Sequence, residues 1–352
     1  MDDRLRVDRD QLETFTTDVL TEAGVTDPHA TRVSETLVYA DVCGVDSHGV
    51  ARLPAYVKKF EAGGFNCEPT ISVDRVSESG LLVDADDGPG QSASIEAIDG
   101  AMECAAETGM AGAVVRRSNH FGAARCFTER ASEHGFIGIA TSNVDSNVIP
   151  YGGTEPVLGT NPISIAIPTA REFDIVLDMA TSVAAFGKID HATDEGESIP
   201  PDWGVDEHGA STTDPESVVA LRPMSGPKGY ALGLVVDVLS GLLSGAGASP
   251  SIGELYGEYD EPMGVGHFLG AIDVSAFRDL DAFTDDVDDL IDQLKTQRPQ
   301  EGVAEVMIPG EIEANTRRQS IETGVPIRPE VAADLETLGD EYDVAVPDPL
   351  SE

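Results

Sequence analysis

The chain has 352 residues, with 64 acidic against 22 basic side chains and a formal net charge of −42. That charge repels nucleic acid and anionic membrane surfaces, which excludes both as partners. A disordered acidic chain is excluded as well, because 41% of the residues are hydrophobic and they recur with clear periodicity.

The first 60 residues are predicted to be helical. Leu12, Phe15, Val19 and Leu20 share one face of a helix starting near Asp10. A second helix is expected over residues 31–43, ending at Gly44, and a third over residues 50–60, closed by Gly63-Gly64. Alternation then takes over. Ile71-Ser72-Val73 and Leu81-Leu82-Val83 read as strands, followed by the turn Asp86-Asp87-Gly88-Pro89-Gly90 and a helix over 93–108. A strand over 112–116 delivers Ser118-Asn119-His120, and a helix over 123–134 stops at Gly135. Strands are expected at 137–142, 163–167 and 175–177, with a short helix over 181–188. Residues 195–218 and 245–264 read as loops around a strongly apolar, buried helix at 230–243. A strand at 267–274 and helices at 283–294 and 311–322 follow, and the acidic tail is expected to be loose.

This order predicts an α/β chain. A doubly wound dinucleotide fold should open with strand, Gly-x-Gly-x-x-Gly and helix; Gly88-Pro89-Gly90 lacks the third glycine. Gly226-Pro227-Lys228-Gly229 lacks both the earlier glycine and the Ser/Thr of a phosphate-binding loop. A nucleotide would therefore bind on another scaffold. Cys43, Cys67, Cys104 and Cys126 form no CxxC pair and read as free thiols. There is no basic start followed by an apolar stretch, and no apolar run near the roughly 20 residues that span a bilayer, so a cytoplasmic protein is expected. The acid excess predicts a surface suited to concentrated salt, where a Debye length of about 3 Å at 1 M makes self-repulsion tolerable.

Several residues are candidates for chemistry. His120 follows a strand and precedes a glycine and a helix, and an imidazole with a pKa near ~6.5 suits proton exchange with a hydroxyl or carbonyl. A polar loop histidine is the alternative. Ser47 and His48 come shortly before Arg52, whose guanidinium matches a carboxylate with two parallel hydrogen bonds. Asp46 and Ser47 could instead cap the helix near Val50. Lys228 is one of only five lysines and opens the most apolar helix, a setting for an anion or for a simple surface turn. Asp178 ends a strand and suits ribose hydroxyls or an N-cap. Metal ligation by Asp46, His48 and His120 would define a metal-dependent hydrolase, but no HxxxH or HExxH spacing supports it, and no metal is expected.

Assembled, the pieces resemble the malate/L-lactate dehydrogenase family of the sulfolactate and ureidoglycolate dehydrogenase type. The carriers are Asp46-Ser47-His48-Gly49 with Arg52, Ser118-Asn119-His120-Phe121-Gly122, Pro150-Tyr151-Gly152-Gly153 and Gly159-Thr160-Asn161-Pro162. Asp178-Met179-Ala180-Thr181-Ser182, Gly226-Pro227-Lys228-Gly229-Tyr230 and Gly266-His267-Phe268 complete them, in family order. The resemblance implies an α+β, non-Rossmann fold with a helical domain and an NAD(P)-binding domain on a mixed, largely antiparallel sheet. The expected division is 1–75 joined by about 225–340 for the helical domain, 76–224 for the cofactor domain, and an acidic tail at 341–352. It implies NAD or NADP as cofactor, with NAD slightly preferred, a small-molecule substrate and a homodimer. It assigns proton exchange to His120, with Ser47-His48 as the alternative relay, and the substrate carboxylate to Ser47, His48 and Arg52. It places Asn143, Val144, Asp145, Asp178, Met179, Ala180, Lys228, Pro309, Gly310 and Glu311 at the cofactor. Some family members pair the Ser-His relay with an acidic residue where Lys188 stands here, with Asp190 two positions on. The expected reaction is hydride transfer between a 2-hydroxy acid and its 2-keto acid. The rival substrates on the same fold are a cyclic ketimine or a sugar-derived keto acid, and a non-catalytic ligand-binding protein is a third reading.

Overall fold

A computed structural model describes residues 4–350, with the side chains of Asp190, His191 and Asp194 outside that description. In chain order it opens with strand β1 (Leu5–Val7) and helices α1 (Arg9–Glu22), α2 (Asp27–Val42) and α3 (Leu53–Ala62). Strands β2 (Ser72–Ser77) and β3 (Gly80–Asp84), α4 (Gly90–Thr108), β4 (Met110–Ser118), α5 (Arg125–Ser132) and β5 (Phe136–Ser142) come next. Then come β6 (Ile163–Ile167), β7 (Ile175–Met179), α6 (Phe186–Glu195), β8 (Gly204–Val205), β9 (Ser211–Thr212) and β10 (Ala220–Leu221). The last part holds α7 (Pro227–Asp237), β11 (Val265–Asp273), α8 (Leu280–Lys295), α9 (Glu311–Thr323), β12 (Val325–Ile327) and α10 (Pro329–Tyr342).

Two cores organise these elements. One buries Leu12, Phe15, Val33, Leu37, Leu53 and Tyr56 of α1–α3 against Leu335 and Leu338 of α10. The other packs Ala93, Ala97 and Ile98 of α4 and Phe127 and Ala131 of α5 onto strand residues Val83, Val115, Ala140 and Leu269. The main sheet has seven strands in the order β2-β3-β4-β11-β5-β6-β7. Only β3 and β4 run parallel; the other pairs are antiparallel. This is a mixed, largely antiparallel sheet rather than a doubly wound parallel one.

The expected division of the chain at 224/225 is not where the packing divides. β11 sits at the centre of the sheet between β4 and β5, although it belongs to the C-terminal segment. Local pattern shows that a strand exists, but not which sheet it enters. The short helix expected at 181–188 begins instead at Phe186, because residues 181–185 are drawn to Thr160 and Arg222 by backbone hydrogen bonds. The 195–218 loop carries the small three-stranded sheet β10-β8-β9. The tail is docked up to Leu350, whose N–H donates to the Arg6 carbonyl at 2.7 Å, while Pro349 bridges to Val7. α10 was missed, although Val331, Leu335 and Leu338 repeat at helical spacing.

The apolar helix near 230–243 is buried on one face only. Gly229, Gly233, Val236 and Asp237 face inward, and an irregular turn of helix at 238–242 continues it. A Cβ on Gly266 would lie 2.1 Å from the Ser240 carbonyl, so this segment rests directly on the β11 backbone. Leu234, Val235, Val238, Leu242 and Leu243 are exposed on the outer face.

The turn between α2 and α3 is also organised from outside itself. Neither Asp46 nor Ser47 caps the following helix. Asp41, buried on α2, accepts the Val50 N–H at 2.7 Å instead. Burial pushes the Asp41 carboxyl up to about 8. A Cβ on Gly49 would stand 1.9 Å from the Asp41 carboxylate. Gly49→Ala is therefore expected to lower unfolding free energy by roughly 1–3 kcal/mol, measured in denaturant melts.

Candidate active site

Two loops and one helix end build the site. The turn after α2 carries Ser47 and His48, and Arg52 immediately precedes α3. The end of β4 carries Asn119 and His120. Ser47, His48, Arg52 and His120 line one cavity of about 680 Å³, together with Val144, Asp145, Asp178, Met179 and Ala180. Clefts of this size commonly hold small molecules and cofactors.

The two imidazoles stack. The His48 and His120 rings lie 5.7 Å apart at 19°, and Ser47 Oγ is 3.0 Å from His48 Nδ1. Both rings are half-buried and line the cavity. Desolvation, with help from Arg52, lowers His48 to about 4. Desolvation first, then His48, Arg52 and His267, holds His120 well below the usual histidine range. Neutral rings are the resting forms.

Arg52 Nε donates to the Ser47 carbonyl at 2.7 Å, and Nη1 donates to the Tyr256 hydroxyl. Its guanidinium also lies over the Tyr256 ring, 5.5 Å from the centroid. Tyr256 comes from the 245–264 loop. That loop is tied down by the buried Lys59, which donates to the carbonyls of Glu258 (2.5 Å) and Glu261 (2.9 Å). The Met263 N–H donates to Asn119 Oδ1 at 2.9 Å, so the same loop is hooked to the His120 turn.

A second buried histidine holds the strand ends. His267 on β11 is fully buried, with Nε2 2.9 Å from Ser118 Oγ and Nδ1 2.9 Å from Ser142 Oγ. A neutral imidazole donates through one nitrogen and accepts through the other, which satisfies both serines. Phe121 stacks on this ring at 4.6 Å and 1°. Burial lowers His267 to about 3.

The structure does not bring every expected residue to the cavity. Asn143 is buried with its amide consumed by Asp237, Gly247 and Gly266; it ties the end of β5 to the 237–247 segment. Lys228 is exposed on α7, away from the cavity wall. Pro309, Gly310 and Glu311 lie beside β7: the Pro309 carbonyl accepts from the Val176 N–H, and Glu311 pairs with Lys295. Asp46 turns to Arg328 at 3.7 Å, so it leaves the two histidines. Among the described residues no three His, Cys, Asp or Glu side chains converge. Lys188 lies over the Trp203 ring at 5.8 Å and does not stand in for an acidic partner of His48. The Asp190 side chain lies outside the described residues. Asp178 is raised to about 7, by desolvation chiefly, with Arg125 opposing. The cysteines are free.

Sequence reasoning missed Tyr56, Gln91 and Tyr256, and it named Asn119 and His267 within motifs without giving either a role. Tyr56 stands four residues after Arg52, one turn into α3, a spacing that could have flagged it. Tyr256 has no such signal, because it reaches Arg52 across 204 residues.

Residues 7–336 match the model of the malate/L-lactate dehydrogenase family. The chain belongs to that family. It is 37% identical to a malate dehydrogenase of Pyrococcus horikoshii over 95% of this chain and 94% of that one. It is 34% identical to a ureidoglycolate dehydrogenase (NAD(+)) of Escherichia coli O157:H7, over 92% of this chain and 93% of that one. The solved sulfolactate dehydrogenase of Methanocaldococcus jannaschii superposes with a TM-score of 0.90 at 32% identity, covering 97% of this chain and 98% of that one. Family membership makes the protein a dehydrogenase of the malate, sulfolactate and ureidoglycolate type, on the non-Rossmann fold described above.

The depressed His267 gives a stability test. A histidine whose folded pKa lies below its unfolded value contributes stability above about 6.5 that is lost as pH falls through the folded value. His267→Gln should lower stability at pH 7 yet remove about one proton from the slope between pH 6.5 and 3, read from denaturant melts at a series of pH values.

Proposed function

We propose that the protein interconverts a small 2-hydroxy acid and its 2-keto acid, with His120 exchanging the proton of the substrate oxygen and Arg52 holding the carboxylate. The observation that carries this reading is that both side chains line one cavity with Asp178, Met179 and Ala180. A bound nicotinamide ring supplies or takes the hydride. The residues at that end of the cavity suit a dinucleotide: Asp178 offers a carboxyl to ribose hydroxyls, and Met179 and Ala180 offer small or apolar wall.

Arg52 acts on the substrate by position. Its Nε and Nη1 are held by Ser47 and Tyr256, and this fixes the plane of the guanidinium. Burial of the two histidines keeps them neutral, so Arg52 is the standing positive charge for an anionic substrate. His120 then exchanges a proton with the oxygen on C2. His48, stacked on it, remains the alternative for that role.

NAD is the preferred cofactor in this reading. Asp145 and Asp178 line the cavity, and Arg52 is the only Lys or Arg among the described residues that do so. A 2′-phosphate would find carboxylates rather than cations there. A homodimer also fits. The exposed Leu234, Val235, Val238, Leu242 and Leu243 form an uncharged face on a chain of net charge −42, and a second copy of the chain would cover it.

The deciding assay follows absorbance in molar KCl with NADH and NADPH against oxaloacetate, pyruvate, sulfopyruvate and a cyclic imine. Oxidation of NADH by a 2-keto acid is expected; turnover of the imine alone would overturn the substrate assignment. His120→Ala should lower kcat by at least ~10²-fold, and near-normal turnover would remove His120 from the chemistry. Leu242→Asp with Leu243→Asp should shift the particle from dimer to monomer in light scattering; an unchanged mass would reject this face as the interface.

A further inference from the structure

Behind His120 runs a buried polar chain. Tyr56 on α3 and Gln91 on the first turn of α4 are both fully buried. The Tyr56 hydroxyl is 2.6 Å from His120 Nδ1. Gln91 Nε2 donates to that hydroxyl oxygen at 2.9 Å. The Gly122 backbone N–H also points at Nδ1, from 3.3 Å. Close backbone approach makes this possible. A Cβ on Gly90 would stand 2.2 Å from the Asn119 carbonyl, and Gly122 adopts φ 80°.

The donor directions leave one consistent assignment. A backbone N–H can only donate, so Nδ1 must present its lone pair. Gln91 Nε2 is likewise a donor only, so it occupies a lone pair of the Tyr56 oxygen and leaves the hydroxyl proton for His120. The neutral ring therefore carries its proton on Nε2. Among the described residues nothing hydrogen-bonds that nitrogen, which leaves it for a ligand in the cavity.

We propose that Tyr56, backed by Gln91, is a positioning residue that fixes the tautomer of His120, so that the resting ring presents Nε2–H to the substrate. The proposal rests on the reading that His120 meets the reacting oxygen, and adds to it which ring nitrogen carries the proton. A neutral Nε2–H donates to the oxygen of a 2-keto acid and polarises the carbonyl that hydride attacks. As hydride reaches C2, the oxygen takes the Nε2 proton and solvent returns one to that nitrogen. The 2-hydroxy acid direction runs through the same steps in reverse, with Nδ1 accepting from Tyr56 and Gly122 throughout. Gln91 Oε1 is buried without a hydrogen-bond partner, so the amide acts on Tyr56 through its Nε2 end alone.

The test uses the full chain with 15N-labelled histidine in molar KCl. Two-bond 15N–1H correlation spectra at neutral pH report which ring nitrogen is protonated, and the His120 signals are assigned by their loss in His120→Asn. The expected pattern has an unprotonated Nδ1 and a protonated Nε2; a proton on Nδ1 overturns the proposal. Tyr56→Phe should turn this into an averaged pattern and lower kcat for keto-acid reduction roughly tenfold, with little change in KM. An unchanged tautomer in a folded Tyr56→Phe variant would overturn the role of Tyr56. The wild-type spectrum decides the tautomer even if that variant does not fold. Normal turnover in His120→Asn, with the Nε2–H pattern intact in the wild type, would reject the catalytic reading alone.

Discussion

The imidazole of His267 is the tie on which the site depends. It crosses three neighbouring strands, joining Ser118 at the end of β4 to Ser142 at the end of β5 from its own place on β11. Those two strand ends release the turn bearing His120 and the segment bearing Val144 and Asp145. A fully buried ring with both nitrogens satisfied holds them at a fixed separation. The parallel stack of Phe121 on the same ring extends that hold to the residue after His120. The turn bearing His120 is therefore set by the sheet beneath it as much as by the helices above.

Charge is used in opposite ways outside and inside. The chain carries a large excess of carboxylate, while in the cavity Arg52 stands among His48, His120, Asp145 and Asp178, whose ionisation burial suppresses. Neutral His48 and His120 do not compete with Arg52 for an anion. The buried Lys59 spends its ammonium on backbone carbonyls, which fastens the loop that brings Tyr256 over Arg52. In a chain with five lysines, placing one at 1% exposure points to a structural cost accepted to close the site.

Much of the fold was legible because its signals are local. The helices at 9–22 and 27–42 announce themselves by apolar spacing, and the strands at 136–142 and 163–167 by short apolar runs between turns. The missing glycine fingerprint correctly argued against a Rossmann sheet. Elsewhere, local signals misled. The 230–243 run is apolar all round, which reads as burial, yet half of it faces outward. The 181–188 stretch has helical composition, but its first residues are captured by strand-like pairing to distant backbone. The site was legible as residue types in order: Ser47, His48, Arg52, His120, Asp178, Met179 and Ala180 meet at one cavity. Asn143 was placed at the cofactor by resemblance alone, and its side-chain partners Asp237, Gly247 and Gly266 could not be read from the chain.

The sequence by itself determined many of the elements, the absence of a dinucleotide fingerprint, and a set of chemically capable side chains, since each follows from residues within a few positions of one another. The tertiary structure decided what those side chains face. Tyr56 reaches His120 across 64 residues and Tyr256 reaches Arg52 across 204, and these contacts exist only once the helical layer closes on the sheet. Protonation state was decided there too, because desolvation comes from the whole of the surrounding packing rather than from any neighbour in the chain.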